Sequence, residues 1–286
     1  MSESDILSSR WTETITPRAG FFDLRLKELW NYRDLTLLFV RRDFVTVYKQ
    51  TILGPLWHIV QPVATTIVFT LIFGGIAKLP TDGQPAFLFY MCGTTIWSYF
   101  AQCLSKTSNT FVGNASIFGK VYFPRMTVPL ANVISSLFSF GIQLALFIAV
   151  YSWFWWRGAE FQPNAWLFIV PLLVLIMAVL GLGLGIVISS LTTKYRDLTF
   201  VVGFGVQLLM YATPVIYPMS AVPDKVRWLI YLNPVSSLVE TFRHAFTGSG
   251  SVPLPWLAYS AAVSFLLFLC GMALFHRVEK TFMDSV

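Results

Sequence analysis

The residues that commonly carry enzyme chemistry or phosphate binding are sparse in this sequence and are not arranged as a site. The nearest approach to a phosphate-binding loop is GNASIFGKV, which runs from Gly113 to Val121. It has five residues between its glycines where the motif needs four, and Val121 replaces the hydroxyl residue that must reach Mg²⁺. No HExxH zinc motif occurs, and the three histidines lie in separate regions. The sequence therefore predicts a chain that is not an enzyme and binds no cofactor of its own.

Three basic residues, Arg41, Arg42 and Lys49, precede the first long apolar segment and have the clearest chemical use. Cations beside a membrane segment attract phosphate groups, and two interpretations stay open. The cations anchor the chain to anionic lipid, at about 1 kcal/mol per cation near the surface. Alternatively, they receive a phosphorylated, lipid-linked substrate.

Aromatic residues are the distinctive surplus, with 26 Phe, 11 Tyr and 10 Trp. Their rings offer rigid, amphipathic contact area, which suits the apolar faces of a sugar that carries no fixed charge. Contact with lipid is the alternative for any single ring. The candidates for lining a channel are Trp57, Phe69, Phe73, Tyr90, Trp97, Tyr99, Phe100 and Tyr211.

These side chains must be positioned by a membrane-embedded fold. The chain has 286 residues, of which 56% are apolar and only 12% are charged, whereas soluble domains are about 25% charged. Such a composition excludes a soluble enzyme, a disordered chain and a nucleic-acid binder. The three cysteines, Cys92, Cys103 and Cys270, lie in apolar runs and do not form a disulfide framework.

Six segments are long and apolar enough to cross a bilayer, which takes about 20 residues. An even number places both termini on one side. None of the six contains Asp, Glu, Lys or Arg, which argues against an ion-coupled carrier. The segments are residues 52–77, 86–105, 127–152, 165–191, 198–217 and 256–275.

The distribution of charge sets the predicted orientation. With cytoplasmic termini, the inner pieces hold 15 of the 20 basic residues, and the net charge is +5 inside and +1 outside. Because cytoplasmic loops of membrane proteins are rich in Lys and Arg, the basic excess indicates topology. The GxxxG pair of Gly181 and Gly185 in the fourth segment indicates close helix packing.

Two further stretches are amphipathic and do not cross. Residues 21–32, FFDLRLKELWNY, have the pattern of a helix in the headgroup plane. In the outer region 218–255, Asn233 and Pro234 read as an N-cap and the first helical residue. An apolar stripe follows, and the other face carries Glu240, Arg243 and further polar residues. This pattern predicts a helical hairpin that enters the outer leaflet and returns, either bordering a pathway or acting as a lid over the bundle.

The predicted fold is thus an all-α integral membrane protein. It has six transmembrane helices, an N-terminal amphipathic interface helix and a re-entrant helical hairpin between spans five and six.

Several stretches, in order, resemble one family. RDLTLLFVRRDFVTVYKQTILGPLWHIVQP at 33–62, FVGNASIFGKVYFPR at 111–125, KYRDL at 194–198, ATPVIYP at 212–218 and YLNPVSSLVETFR at 231–243 carry the likeness. They resemble the type 2 ABC exporter permeases of the polysaccharide branch, and the chain looks most like the transmembrane subunits that export O-antigen of lipopolysaccharide.

The resemblance implies a homodimeric channel in the bacterial cytoplasmic (inner) membrane, joined to two copies of a separate P-loop ATPase that binds ATP and Mg²⁺. The cargo would be a polysaccharide linked to undecaprenyl pyrophosphate, and Arg41, Arg42 and Lys49 would meet that pyrophosphate. Residues 1–51 would form a cytoplasmic segment with the interface helix, 52–275 the transmembrane domain and 276–286 a cytoplasmic tail.

Within that domain the resemblance implies two working regions. Residues 106–126 would be the cytoplasmic coupling region, and 218–255 the outer gate region. Capsule or teichoic-acid polymers, or a small lipid or drug, are the alternative cargoes. The residues implied for ATPase coupling are Val112, Gly113, Asn114, Ala115, Ser116, Ile117 and Phe118, and those for the gate are Asn233, Pro234, Glu240, Phe242 and Arg243.

Overall fold

The computed structural model describes residues 26–49, 54–121, 123–159, 161, 163–193, 195 and 197–285. Residues 1–25 and 50–51 of the predicted N-terminal segment, the first two residues of the first predicted span (52–53), and residue 286 lie outside the described residues. Within the described ranges every regular element is helical, which confirms the all-α prediction.

The α-helices are α1 (Leu26–Asn31), α2 (Arg33–Tyr48), α3 (Trp57–Phe69), α4 (Ala86–Ser108), α5 (Thr110–Gly113), α6 (Ala115–Phe118), α7 (Thr127–Trp156), α8 (Val170–Thr192), α9 (Leu198–Tyr211), α10 (Asp224–Tyr231), α11 (Pro234–Thr247) and α12 (Leu254–Ser285). A wider π-helical segment, Thr70–Ile76, extends α3.

Four helical segments among the described residues are long and apolar enough to cross a membrane. They are Trp57–Ile76, Thr127–Trp156, Ala165–Thr192 and Leu254–Val278. They coincide with the first, third, fourth and sixth predicted spans. Two predicted spans differ: α4 is 23 residues long and rich in polar side chains, and α9 has only 14 residues. Six spans therefore stay a prediction that depends on these two helices.

Helix α4 lies at the centre of the bundle. Its 23 residues reach about 34 Å, enough for a hydrocarbon core of about 30 Å. It packs against α3, α7, α8, α9 and α11, and most of its residues are buried. A helix that is enclosed by other helices has little contact with lipid, so it can carry polar side chains. This explains why α4 is less apolar than its neighbours.

Glycines allow the closest helix contacts. A Cβ added at Gly181 would lie 2.7 Å from the Cys103 Cβ, and one at Gly185 would lie 2.5 Å from the Thr107 Cβ. These distances are too short for real side chains, so α8 and α4 approach closely only because both positions are glycine. The packing interpretation of the GxxxG pair is confirmed.

Helix α9 ends at Tyr211, six residues before the end of the predicted fifth span. Pro214 and Pro218 follow, and a proline disfavours helical geometry in the residue before it and removes a backbone donor. The segment 212–218 therefore has irregular backbone. Such backbone is tolerated in a membrane only where protein groups or water satisfy it.

The surface of the bundle is strongly apolar. Phe168 is 90% exposed, Phe200 84% and Ile76 81% in the single chain. Large apolar side chains exposed over several helices are unfavourable in water and suit contact with lipid tails or with another membrane chain.

The region 218–255, which the sequence places on the outer side, contains α10 and α11, and the predicted helix start is confirmed. The Asn233 Oδ1 accepts a hydrogen bond from the Val235 N–H at 3.1 Å, and Pro234 is the first helical residue. The helix stops at Gly248, whose φ of 71° is the left-handed conformation that glycine adopts without strain. The hairpin's depth in the membrane stays a prediction.

Candidate functional site

A cavity of about 500 Å³ lies between α3, α4, α7 and α9, within the ~300–1,000 Å³ of small-molecule sites. Nine of its thirteen lining residues carry an amide, hydroxyl, imidazole or ammonium group, although the bundle around it is apolar. Its lining residues are His58, Gln61, Pro62, Thr65, Thr94, Trp97, Ser98, Ala101, Gln102, Ser105, Lys106, Gln143 and Met210.

Helical periodicity explains the polar wall that α4 contributes. Thr94, Ser98, Gln102 and Ser105 follow one another at spacings of four, four and three residues. Residues three and four apart lie on one face of an α-helix. Helix α3 adds a similar face through Gln61 and its neighbours at positions 58 and 65.

Three glutamines from three different helices line this cavity: Gln61 on α3, Gln102 on α4 and Gln143 on α7. Gln143 is only 4% exposed, and its Oε1 has no hydrogen-bond partner among the described residues. A buried polar atom without a partner costs about 1–3 kcal/mol. Gln143 therefore offers an unpaired amide oxygen to water or to a hydrogen-bonding ligand in the cavity.

The charge of the cavity is concentrated at one end. Among its described lining residues there is no carboxylate, and Lys106 is the cation. Lys106 and His58 also line a second, smaller cavity of about 40 Å³, which reaches Asp43 on α2 and Ser135 on α7. The Ser135 Oγ is buried without a hydrogen-bond partner among the described residues.

The three predicted phosphate-binding cations occupy α2 and its end. Arg42 is engaged: its Nη2 lies 2.8 Å from the Asp43 Oδ1, and its guanidinium lies 4.8 Å from the centre of the Phe39 ring. Arg41 and Lys49 are exposed. Their role in binding substrate stays a prediction.

Of the eight predicted channel aromatics, Trp97 lines the cavity. Trp57 and Tyr211 are about half exposed on the surface of the chain. The other five are at least partly enclosed and pack with aromatic neighbours, as ring pairs 5.1–6.4 Å apart. These pairs are Phe69–Phe73, Phe69–Tyr90, Phe73–Tyr90, Tyr99–Phe140 and Trp97–Phe100.

In the buried core of the single chain, Phe69, Tyr90, Tyr99 and Phe100 are each no more than 8% exposed. These rings therefore pack inside the single chain, and a channel-lining role for the predicted aromatics stays a prediction. The described cavity is rich in amide and hydroxyl side chains, and Trp97 is the member of the predicted aromatic set that lines it.

The predicted coupling residues form α5 and α6, two short helices held by buried rings. The Phe111 ring stacks on Phe275 at 4.7 Å, and Phe118 packs 5.7 Å from Phe123. Val112, Gly113 and Ser116 are exposed, whereas Phe118 is buried. Asn114 fastens the turn, because its Nδ2 donates to the Thr110 carbonyl at 3.0 Å. Ala115 and Ile117 are partly buried.

The predicted gate residues of α11 surround a buried ion pair. The Arg243 Nη1 lies 3.1 Å from the Glu240 Oε2, and the two side chains are 1% and 2% exposed. Burial raises the pKa of the Glu240 carboxyl above its ordinary value, and Arg243 opposes that rise. Phe242 is fully buried as well. The sequence pattern gave α11 a polar face; the structure buries that face inside the chain.

Arg243 also satisfies the irregular segment after α9. Its Nη2 donates to the Pro214 carbonyl at 2.7 Å, and its guanidinium lies 4.0 Å from the centre of the Phe89 ring. Asn233, besides capping α11, donates to the Thr213 Oγ1 at 2.8 Å. Helix α11 and its cap thus supply the hydrogen-bond partners that the irregular backbone of segment 212–218 requires. A gating role for these residues stays a prediction.

Sequence reasoning missed the glutamines of the cavity and Lys106. Helical spacing on α4 could have revealed part of the site, since Thr94, Ser98, Gln102 and Ser105 fall on one face of the helix. His58 lines both cavities.

Comparison with known proteins agrees with this architecture. The family model described as "ABC-2 type transporter" matches residues 34–247. The "O-antigen export system permease protein RfbA" of Klebsiella pneumoniae is 27% identical over 251 residues, covering 88% of this chain and 94% of that protein. RfbA of Myxococcus xanthus is 26% identical over 267 residues, with 91% and 98% coverage. The "Polysialic acid transport protein KpsM" of Escherichia coli is 24% identical over 250 residues, with 85% and 93% coverage.

Proposed function

The chain belongs to the ABC-2 type transporter family, and from this premise we propose that it is the transmembrane subunit of an ATP-driven exporter of lipid-linked polysaccharide. O-antigen linked to undecaprenyl pyrophosphate is the first candidate cargo, because the relatives that match over most of both chains are named O-antigen export permeases. The chain is a multi-pass inner-membrane permease subunit, as its relatives and its apolar helices indicate.

One observation carries the proposal: a cavity walled by amides and hydroxyls inside an apolar helix bundle. Gln61, Gln102 and Gln143 offer both donors and acceptors, as a polyhydroxylated sugar requires. Trp97 adds an aromatic surface that suits the apolar face of a sugar ring. With no carboxylate among the described lining residues, the cavity favours neutral groups over cations.

Energy reaches this chain from a separate ATPase in our proposal, with ATP and Mg²⁺ bound by that partner. The exposed Val112, Gly113 and Ser116 of α5 and α6 form the contact surface. Phe111 and Phe118 anchor these helices to the rest of the chain. Such an anchored pair of helices can transmit a push without local unfolding.

The chain acts as a homodimer in this proposal, with six spans per copy and cytoplasmic termini. Helices α4 and α9, with the segment 212–218, supply the second and fifth spans. A polymer path is hard to enclose with six helices, so two copies would share it. The outer helices α10 and α11 would close its far end, with Asn233, Pro234, Glu240, Phe242 and Arg243 in the gate.

The experiment removes cavity polarity from the full chain in a strain that lacks the native copy. The double variant Gln102→Leu with Gln143→Leu loses two sugar contacts, each worth about 1 kcal/mol. We expect polymer export to fall at least about fivefold, measured as surface polysaccharide, while lipid-linked polymer accumulates inside. The control is Gln207→Leu, an identical substitution on an exposed position of α9.

Three results would contradict parts of the proposed function. Intact surface polysaccharide after deletion of the chain would exclude polymer export. Failure of the purified chain to bind any P-loop ATPase would exclude the ATP-driven mechanism. An unchanged export rate in the double glutamine variant would remove the cavity from the cargo path.

A capsule-type polymer is the second candidate, because the chain also matches the KpsM polysialic acid transport protein over 85% of its length. The length of the exported polymer distinguishes a polysaccharide cargo from a small lipid or drug. Trp97→Ala should impair the export of long polymers more than that of short ones if a polymer threads the cavity. Equal effects on both would favour a small cargo.

A further inference from the structure

The two cavities meet at one pair of residues, His58 and Lys106. On one side the large cavity continues along the polar faces of α3 and α4. On the other, the small cavity reaches α2, next to the predicted interface segment, through Asp43 and Phe44. Lys106 therefore borders both cavities.

The position of Lys106 is well defined by its neighbours. It lies in the last turn of α4, and the Asn132 Nδ2 of α7 donates to its backbone carbonyl at 3.2 Å. Its side chain is partly buried. Among the described residues Lys106 forms no ion pair, and the nearby Asp43 already pairs with Arg42.

A partly buried cation without a paired carboxylate favours an anionic ligand, because burial of an unpaired charge is costly. The groups beside it also suit phosphate oxygens. Ser105 offers a hydroxyl donor, and His58 lines the same junction. Beyond the junction the large cavity holds no second described cation. One anionic group would therefore stay at the junction while neutral, hydroxyl-rich groups occupy the cavity.

We propose that Lys106, at the junction of the two cavities, binds the phosphate group of a lipid-borne ligand, a proposal that rests on the function proposed above. The ligand is either the pyrophosphate that links polymer to its lipid carrier or the phosphate of a membrane headgroup. The shared chemistry is a phosphate held by an ammonium and neighbouring donors.

The test measures binding of farnesyl pyrophosphate to the purified full chain in phosphatidylcholine nanodiscs. Farnesol, which has the same tail without phosphate, is the ligand control. The variants are Lys106→Gln, Lys106→Arg and a matched control, Lys78→Gln, which alters an exposed lysine of the loop before α4. Gel filtration and melting curves check that each variant is folded.

We expect the wild-type chain to bind farnesyl pyrophosphate more tightly than farnesol. Lys106→Gln should weaken pyrophosphate binding on the order of tenfold to a hundredfold, the value of a charged hydrogen bond. Lys106→Arg, which keeps a cation able to bind phosphate, should bind farnesyl pyrophosphate more tightly than Lys106→Gln, and Lys78→Gln should match the wild type. Farnesol binding should be the same in all variants.

Adding phosphatidylglycerol to the nanodiscs distinguishes the two sources. If phosphatidylglycerol at the fractions found in membranes displaces farnesyl pyrophosphate, and this displacement is lost in Lys106→Gln, the site binds headgroup phosphate. Retained pyrophosphate binding assigns it to the lipid carrier. Either result supports Lys106 as the phosphate ligand.

Equal affinity of Lys106→Gln and wild type for farnesyl pyrophosphate would overturn the inference, as would equal binding of farnesol and farnesyl pyrophosphate to the wild-type chain. Polymer export distinguishes this failure from failure of the proposed function. If export depends on the cavity glutamines but Lys106→Gln binds farnesyl pyrophosphate normally, only the phosphate site is refuted. If phosphate binding depends on Lys106 but the chain exports no polymer, only the proposed polymer export is refuted.

Discussion

Arg243→Met is expected to destabilise the chain strongly, because the guanidinium of Arg243 is buried among four different partners. It pairs with Glu240 at 3.1 Å, donates to the carbonyls of Pro214 at 2.7 Å and Val215 at 3.4 Å, and stacks over Phe89 at 4.0 Å. Methionine fills similar space but replaces none of these polar contacts. The carbonyls after α9 and the Glu240 carboxyl would then lack their partner.

The magnitude follows from burial. Removing one partner of a buried ion pair typically costs about 3–5 kcal/mol, since the other charge is left uncompensated. At about 2–4 °C per kcal/mol for chains somewhat shorter than this one, the melting temperature should fall by roughly 6–20 °C. Removing both charges in Arg243→Met with Glu240→Gln should recover part of that loss, because no buried charge remains.

The assay is thermal unfolding of the purified chain in detergent, with Arg227→Met as the matched control. Arg227 pairs with Asp224 at 2.7 Å, also three residues apart on a helix, but the Asp224 side chain is 88% exposed. Exposed pairs contribute about 0–1 kcal/mol. Equal shifts for Arg243→Met and Arg227→Met would refute the reasoning, because burial would then not decide the energy.

Three further predictions concern pH, packing and coupling. Glu240→Gln should flatten the pH dependence of the melting temperature. Burial raises the pKa of Glu240 in the folded chain above 4.5, its ordinary value in the unfolded chain. The stability of the wild type should therefore fall as the pH rises from 4.5 through the raised pKa. Wild-type melting temperatures that show no such fall would contradict this prediction. Gly185→Ala, which places a Cβ 2.5 Å from that of Thr107, should cost about 1–3 kcal/mol in unfolding experiments, whereas Gly203→Ala, with open space, should be far milder. Phe111→Ala should cost about 3–5 kcal/mol and increase proteolysis within 106–126; an unchanged cleavage pattern would show that the ring does not anchor α5.

Local patterns in the sequence predicted several features that the structure confirms. Asn233 caps α11 as expected because a cap depends on a hydrogen bond to a backbone N–H two residues away. Gly181 and Gly185 pack against α4 because a GxxxG pair places two small residues on one helix face. Four of the six predicted spans match helices of sufficient length and hydropathy.

The predictions were weaker where an answer depended on helix rotation or on enclosure. The sequence did not show that Tyr99 and Phe100 lie in the core of the single chain, because their burial depends on the rotation of helix α4. The polar face of α11 looked suited to a pathway, yet Glu240 and Arg243 pair with each other inside the chain. Hydropathy scores each residue alone and does not record which neighbours cover it.

By itself, the sequence determined the membrane class, the helical fold and the absence of charge from the predicted spans, because these follow from composition and local periodicity. Only the tertiary structure decided that Gln61, Gln102 and Gln143 share one cavity and that Lys106 lies at its end. Those residues lie on three helices and are up to 82 positions apart in the chain. Their convergence depends on how the helices pack and rotate, which no single segment encodes.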